Sequence, residues 1–156
     1  GVTVNYTQMK YPTMTSPDVI ADGVEAQLIL AENQLQAGNP SGALAILNAL
    51  RANSAVAAVR GYPASSSLPP LTLQTTTAAQ VDQLYKERAY WLYLTAHRVG
   101  DLRRLITQYG RGAETVFPTG PYFKGGTYGA DVSVPVPQAE QNNPNYSPAA
   151  CDPTKP

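Results

Sequence analysis

The ionisable side chains of this chain are most concentrated between residues 87 and 104, where any acid–base chemistry would have to take place. They comprise Glu87, Arg88, His97, Arg98, Asp101, Arg103 and Arg104. His97 is the only histidine, and no matched nucleophile or metal-ligand spacing accompanies it, so neither a hydrolytic nor a metal site is indicated. Asp101 can reach Arg98 and Arg104 on a helix, since each lies three residues away. We therefore predict a structural polar network and expect no enzymatic activity, cofactor or metal.

A second group of side chains is suited to binding. The segment GPYFKGGTYG (120–129) contains three aromatic residues, Tyr122, Phe123 and Tyr128. Aromatic rings offer flat apolar faces to sugar rings, and polar edges can bond to hydroxyl groups. The segment lacks the Lys-Ser/Thr pair of a phosphate-binding loop. Two interpretations stay open: the aromatic residues contact a glycan, or they hold an irregular loop against the helices or against a neighbouring protein.

Two Asn-x-Ser/Thr tripeptides are candidate glycosylation sites. They begin at Asn5 and Asn145, and they would matter only in an exported protein. The single cysteine, Cys151, has no partner for a disulfide within the chain. We expect this thiol to be inert or to pair between molecules.

The overall composition excludes several classes of protein. The 156 residues weigh 16.6 kDa, which suits one domain. Eleven basic and eleven acidic residues give a net charge of zero, which argues against a nucleic-acid partner. No apolar run approaches the roughly 18 residues that a membrane span needs, so none is expected. Ten tyrosines and fourteen prolines with only 14% charged residues are typical of extracellular surface proteins.

Two antiparallel helices are predicted in the first third of the chain. Ser16 to Asp18 supply a helix cap, a first-turn proline and an acidic residue, and apolar residues then recur at helical spacing as far as Gly38. Asn39-Pro40 begins a second helix, and its apolar residues Ala43, Leu44, Leu47 and Leu50 share one face. Because the connecting turn is so short, the two helices are expected to form a hairpin.

Glycine and proline residues mark the boundaries of the remaining predicted segments. The leucines at positions 68, 71 and 73 are expected to pin a crossing loop. A long helix is predicted to begin with Thr77 as its cap and to run to Gly100, followed by a shorter helix ending near Gly110. The Pro-rich tail carries one extended segment around Val132 to Val136.

The predicted fold class is mainly α. We expect a single module in which 1–15 form an extended arm with alternating Val2, Val4 and Tyr6, 16–110 are helical, and 111–156 form an irregular tail that wraps around the helices.

Three motifs, in order, carry a resemblance to a known family. They are LQAGNPSGALAILNALRA (35–52), ERAYWLYLTAHRVGDLRR (87–104) and VPVPQAEQNNPNYSP (134–148). The first is similar to half of a tetratricopeptide repeat. Together the motifs resemble the C-terminal region of the SusD/RagB family, the outer-membrane nutrient- and glycan-capture lipoproteins of Bacteroidetes-type bacteria. The resemblance covers roughly residues 9 to 146.

The resemblance implies a tetratricopeptide-like helical hairpin, a long helix and a wrapping tail, with the polar residues of 87–104 in a structural role. It also implies a non-enzymatic function at the cell surface, on the extracellular side of the outer membrane. There the protein would bind an oligosaccharide or other nutrient and pass it to a TonB-dependent transporter. Family proteins carry their sugar-stacking aromatic residues mainly outside this region, so no binding residue is transferred from them.

An alternative function belongs to a different class. A SusD-like module of this size, with an extended arm and an extended tail, could serve as a structural subunit of an extracellular fibre or surface layer, with like subunits as its partners. A peptide-binding tetratricopeptide domain fits less well, because one hairpin and one long helix fall short of the usual three repeats.

Overall fold

The computed structural model describes residue 8 and residues 10–17, 20–59, 68–149 and 152–156. The described residues are mainly helical, so the prediction of a mainly α fold is confirmed. Within these ranges no strand forms, and one isolated antiparallel bridge joins Pro121 to Thr127. Packing groups the chain into two compact units, Gly1–Thr95 and Ala96–Pro156. The predicted single module stays a prediction, and this boundary falls inside the stretch 16–110 that was expected to be helical.

The helices of the described ranges are named in chain order. The first unit contains α1 (Gly23–Gln36), α2 (Pro40–Ala52), α3 (Ser54–Val59) and α4 (Thr77–Trp91). The second unit contains α5 (Arg98–Thr107), α6 (Ala113–Val116) and a 3₁₀ helix (Gln138–Asn142).

Helix α1 begins later than the sequence predicts. Its N-cap is Asp22, whose carboxylate accepts a hydrogen bond from the Glu25 amide at 3.0 Å. Ser16 lies in a local turn instead, where its hydroxyl accepts from the Thr13 amide at 3.1 Å. The predicted start at Ser16 is therefore wrong, because Ser16 and Asp22 are both good capping residues and the chain uses the second.

Helix α2 begins where the sequence predicts. Asn39 caps it by accepting from the Gly42 amide at 3.0 Å, and Pro40 occupies the first turn. Gly38 has a φ of +74°, the left-handed conformation that ends a helix and that glycine adopts without strain. Helices α1 and α2 pack against each other, so the turn at 37–39 joins two packed helices.

The core of the first unit is built from one face of each long helix. Helix α1 packs against both α2 and α4. The buried apolar residues are Val24, Leu28, Ala31, Ala43, Leu47, Leu50, Val81, Leu84, Tyr85, Trp91 and Leu92. Full burial of one such large side chain contributes about 1.5–3 kcal/mol, so this shared face accounts for most of the stabilisation of the helices.

Helix α4 is capped by Thr76, one residue before the predicted cap, and it ends at Trp91. The predicted continuation to Gly100 is wrong. Leu94 and Ala96 have φ values of 57° and 62°, and this left-handed backbone stops the helix. The Lys10 ammonium donates to the Tyr93 carbonyl, and the Tyr11 hydroxyl donates to the Leu94 carbonyl at 3.2 Å. Gly100 instead lies inside α5.

The extended segment 68–75 is held mainly through its backbone. The Asn48 side chain accepts a hydrogen bond from the Leu71 amide at 2.8 Å and donates one to the Leu71 carbonyl at 3.1 Å. Arg51 donates to the Pro69 carbonyl at 2.7 Å, and Gln83 donates to the Thr72 carbonyl at 2.9 Å. The predicted anchoring of this segment by its leucine side chains is therefore only part of the explanation, because Leu73 is 46% exposed. Residues 61–67 of the predicted loop lie outside the described residues.

The second unit has a small core and a long irregular chain. Helices α5 and α6 pack together, and Leu102, Leu105 and Val132 are buried. The segment expected to be extended around Val132 forms no strand. Instead the Val132 and Ser133 amides both donate to the Pro153 carbonyl, at 2.8 and 3.0 Å. Residues 1–7 of the predicted arm, with Val2, Val4 and Tyr6, lie outside the described residues, and the described part of the arm contains a turn at 13–16, where the Ser16 amide donates to the Thr13 carbonyl.

Candidate binding site

A glycine-rich hairpin presents the three aromatic residues of 120–129. The Tyr128 amide donates to the Gly120 carbonyl at 3.0 Å, and the Tyr122 amide donates to the Gly126 carbonyl at 2.9 Å. Gly125 and Gly126 have φ values of +100° and +83°. Side chains other than hydrogen are strained in this conformation, so the pair of glycines allows the chain to reverse between the aromatic residues.

The three rings form a compact cluster on this hairpin. The Tyr122 ring lies edge-on to Phe123, with ring centroids 4.7 Å apart, and edge-on to Tyr128 at 5.3 Å. Phe123 is 81% exposed and Tyr128 is also exposed, whereas Tyr122 is half-buried between them. The Lys124 ammonium lies 5.5 Å from the Phe123 ring centroid. Tyr122 therefore supports two exposed rings, and the trio predicted from sequence is brought together.

A groove of about 360 Å³ adjoins the hairpin in the same unit. Tyr128 forms one wall, and Phe117 and Val132 contribute apolar surface. Two carboxylates, Glu114 and Asp131, also line it. Neither carboxylate is predicted from the sequence, because the two are far apart in sequence and share no spacing pattern. Their nearness to the aromatic segment along the chain was the only available signal.

This arrangement offers groups of the kinds that contact ligands. Aromatic faces, tyrosine hydroxyls and carboxylate oxygens offer apolar contact and hydrogen-bond acceptors to a ligand that carries hydroxyl groups. Among the described residues, no group of three or more His, Cys, Asp or Glu side chains is arranged to hold a metal ion. The exposed rings of Phe123 and Tyr128 form the candidate contact surface.

Part of the predicted polar network lies in the first unit. Glu87 is buried, and its Oε1 accepts from Arg51 Nη1 at 2.8 Å while its Oε2 accepts from the Trp91 indole at 3.1 Å. Arg88 is also buried, with its guanidinium carbon 5.9 Å from the Tyr85 ring centroid. Arg51 is not part of the network predicted from the sequence, because it is separated from Glu87 by 36 residues.

The other predicted members lie in the second unit. The Asp101 carboxylate is buried and lies 3.7 Å from Arg104 Nη1, as the spacing of three residues predicts. Arg98 is exposed. Arg98 lies in the first turn of α5, and its contact with Asp101 stays a prediction. His97 precedes this helix as its cap residue without a side-chain capping bond.

The modification candidates fall in different places. Asn145 is exposed on the tail, while Asn5 and Cys151 lie outside the described residues. Near the C-terminus, the Thr154 hydroxyl and amide both donate to the Asp152 carboxylate, at 2.7 and 3.0 Å. These bonds favour the charged form and hold the pKa of Asp152 below its ordinary value.

Comparison with known proteins gives no assignment: no family model, no curated protein and no solved structure matches the chain significantly. None of the helices in the described ranges combines the length and the apolar character needed to cross a membrane.

Proposed function

We propose that the chain is a non-enzymatic binding module, similar to the C-terminal region of SusD/RagB proteins. It would hold an oligosaccharide or other nutrient at the cell surface and pass it to a TonB-dependent transporter in the outer membrane. The observation that carries this proposal is the exposed aromatic pair Phe123 and Tyr128, supported by Tyr122 beside a groove with two carboxylates.

The geometry of the hairpin suits a ligand with both apolar and hydroxyl-bearing faces. Because Tyr122 makes an edge-on contact with each of the exposed rings, their orientation is set before a ligand arrives, which lowers the entropic cost of binding. Glu114 and Asp131 supply acceptors for ligand hydroxyl groups within the adjoining groove. A saccharide presents both kinds of surface.

The helical unit serves in this proposal as scaffold and partner face. The packing of α1 against α2, and of α4 against both, supports a tetratricopeptide-like arrangement. In such proteins, stacked helices offer extended surfaces to other chains. We assign contact with the transporter to this unit and saccharide contact to the hairpin.

The proposal is tested with a glycan array probed with the full chain, followed by calorimetric titration of each saccharide that binds. The double variant Phe123→Ala/Tyr128→Ala should weaken binding about tenfold or more, since each aromatic contact contributes roughly 0.5–1.5 kcal/mol. Tyr93→Ala is the matched control, because Tyr93 is an exposed tyrosine of the other unit. An array without bound glycan, or equal losses in both variants, would contradict the proposal.

A second candidate function is a structural subunit of an extracellular fibre or surface layer. It is supported by two large apolar side chains on the second unit, Phe123 and Val134, which are both mostly exposed and would be covered by a like subunit. Sedimentation velocity of the full chain across a concentration series separates the two functions. Self-association that Phe123→Ala/Val134→Ala abolishes favours assembly, while a monomer at every concentration excludes it.

A further inference from the structure

We propose a second saccharide-binding site on the first unit, in a groove between α4 and the segment 68–75. This inference rests on the proposed function only for its choice of ligand class, because the site and its residues are separate from the aromatic hairpin. The groove has a volume of about 690 Å³, within the roughly 300–1,000 Å³ typical of small-molecule sites.

One wall of the groove is a single face of α4. Ala79, Asp82, Gln83, Lys86 and Tyr90 line it. Steps of three or four residues lead from 79 to 82 and 83, from these to 86, and from 86 to 90, which places the five on one side of a helix. From Asp82 to Tyr90 the helix rises about 12 Å. Such a length favours an elongated ligand with more than one ring over a single small ring.

The floor of the groove is polar and fixed in place. Arg51 and Glu87 line it and form the 2.8 Å ion pair, with 14% and 5% of their side chains exposed. Arg51 also donates to the Pro69 carbonyl, and Glu87 also accepts from the Trp91 indole. Because both side chains are held from two directions, the floor keeps its shape without a ligand, as a preformed site requires.

The rim offers a stacking surface and hydrogen-bonding groups. Tyr90 is 56% exposed at one end of the groove. The side-chain amide nitrogen of Gln83 donates a hydrogen bond to the Thr72 carbonyl. Its amide oxygen and the Lys86 ammonium form no hydrogen bond with the part of the chain that the structure describes. An aromatic ring beside an acceptor and a donor suits a sugar ring with its hydroxyl groups.

The charges of the lining indicate a neutral ligand. Arg51 and Lys86 contribute two positive charges, and Asp82 and Glu87 contribute two negative charges. An anionic or cationic ligand would gain no net attraction from this surface. A neutral oligosaccharide, which binds through stacking and hydroxyl hydrogen bonds, matches the lining better than a uronic acid, an amino sugar or a charged peptide.

The test is an NMR titration of the isotopically labelled full chain. The probes are neutral oligosaccharides of glucose, mannose, galactose and xylose, with a charge-free peptide as the competing ligand class. We expect amide shifts in 71–74 and 83–90 with at least one saccharide. Tyr90→Ala should weaken that binding about fivefold to tenfold, whereas Tyr93→Ala should leave it unchanged, because Tyr93 is equally exposed but does not line the groove.

Salt and the hairpin variant complete the test. Binding in the groove should change less than about twofold between roughly 0.05 M and 0.5 M NaCl, because salt screens interactions between charges and a neutral saccharide carries none. It should also persist in Phe123→Ala/Tyr128→Ala. Shifts confined to 120–128 would overturn this inference and keep the proposed function. Shifts confined to the groove would support the inference and overturn the hairpin as the contact surface. Shifts with the peptide alone, or with no probe, would overturn it.

Discussion

The two units hold their irregular segments in opposite ways. In the first unit, side chains from two helices hold the backbone of 68–75, and the bond from Asn48 to Leu71 spans 23 residues of chain. In the second unit, the hairpin at 120–128 closes on its own backbone, with hydrogen bonds between residues at most eight apart. The first segment is part of the packed structure, while the second is a local turn.

This difference separates stability from binding. A segment held by distant side chains is ordered only while the helices are packed, so its residues serve the fold. A hairpin closed by local bonds and glycine conformations needs few contacts elsewhere, and Phe123 and Tyr128 are left exposed. Substitutions of the side chains that hold 68–75 should therefore affect the free energy of unfolding, and substitutions of the exposed rings on the hairpin should affect ligand contact.

The largest effect is expected from removing the buried carboxylate of the first unit. Glu87→Ala removes the acceptor of two hydrogen bonds, one from Arg51 Nη1 and one from the Trp91 indole, and breaking a buried ion pair costs about 3–5 kcal/mol. Urea unfolding followed by circular dichroism, and by the fluorescence of Trp91, the only tryptophan, measures the loss. The control Lys86→Ala, an exposed neighbour, should change stability by less than about 0.5 kcal/mol. Equal stabilities of the two variants would refute the role of Glu87.

The next effect concerns the segment 68–75. Asn48→Ala removes two hydrogen bonds to the Leu71 backbone, and we expect a loss of about 2 kcal/mol with faster hydrogen exchange at the Leu71 amide. Asn33→Ala is the matched control, since Asn33 is exposed on α1. Unchanged protection of Leu71 in the Asn48 variant would show that the segment is not held by this side chain.

A smaller change in stability, this time an increase, is expected at Ala96, which follows α4. Ala96→Gly removes a side chain from a left-handed conformation with φ of 62°, and relief of that strain should raise stability by about 0.5–1 kcal/mol. The same change at Ala45, exposed within α2, should lower it by about 1 kcal/mol. Thermal unfolding of both variants measures the two shifts, and shifts of the same sign would be inconsistent with strain at Ala96.

The smallest effect concerns Asp152. Because hydrogen bonds from Thr154 lower its pKa, its contribution to stability is present above the unfolded pKa and is lost as pH falls through the folded pKa. Thr154→Val removes the hydroxyl and should raise the Asp152 pKa toward its ordinary value. An NMR titration of the Asp152 carboxyl measures this shift, and an identical titration curve in the variant would rule out the hydroxyl as its cause.

The elements that were predicted correctly have local signals. Asn39-Pro40 caps α2 as expected, because a capping side chain and a first-turn proline act within a few residues. The start of α1 was predicted wrongly because two capping residues compete, and the end of α4 because Leu94 and Ala96 adopt a conformation that their residue types disfavour.

The candidate sites, too, were predictable only where their residues lie close together in sequence. The aromatic trio was recognisable because its members lie within seven residues of one another. The carboxylates Glu114 and Asp131, and the groove floor of Arg51 and Glu87, depend on contacts between residues far apart in sequence. A periodic sequence pattern carries no information about such distant contacts, so these residues are identified only in the folded chain.

Hydroxyl-radical footprinting of the full chain, with and without a saccharide selected on the array, tests the central claim most directly. The account predicts that the saccharide lowers oxidation of Phe123 and Tyr128, which are exposed on the hairpin, and leaves the oxidation rate of Tyr93 unchanged. If the oxidation rates of Phe123 and Tyr128 are the same with and without saturating saccharide, the assignment of the hairpin as the binding surface is contradicted.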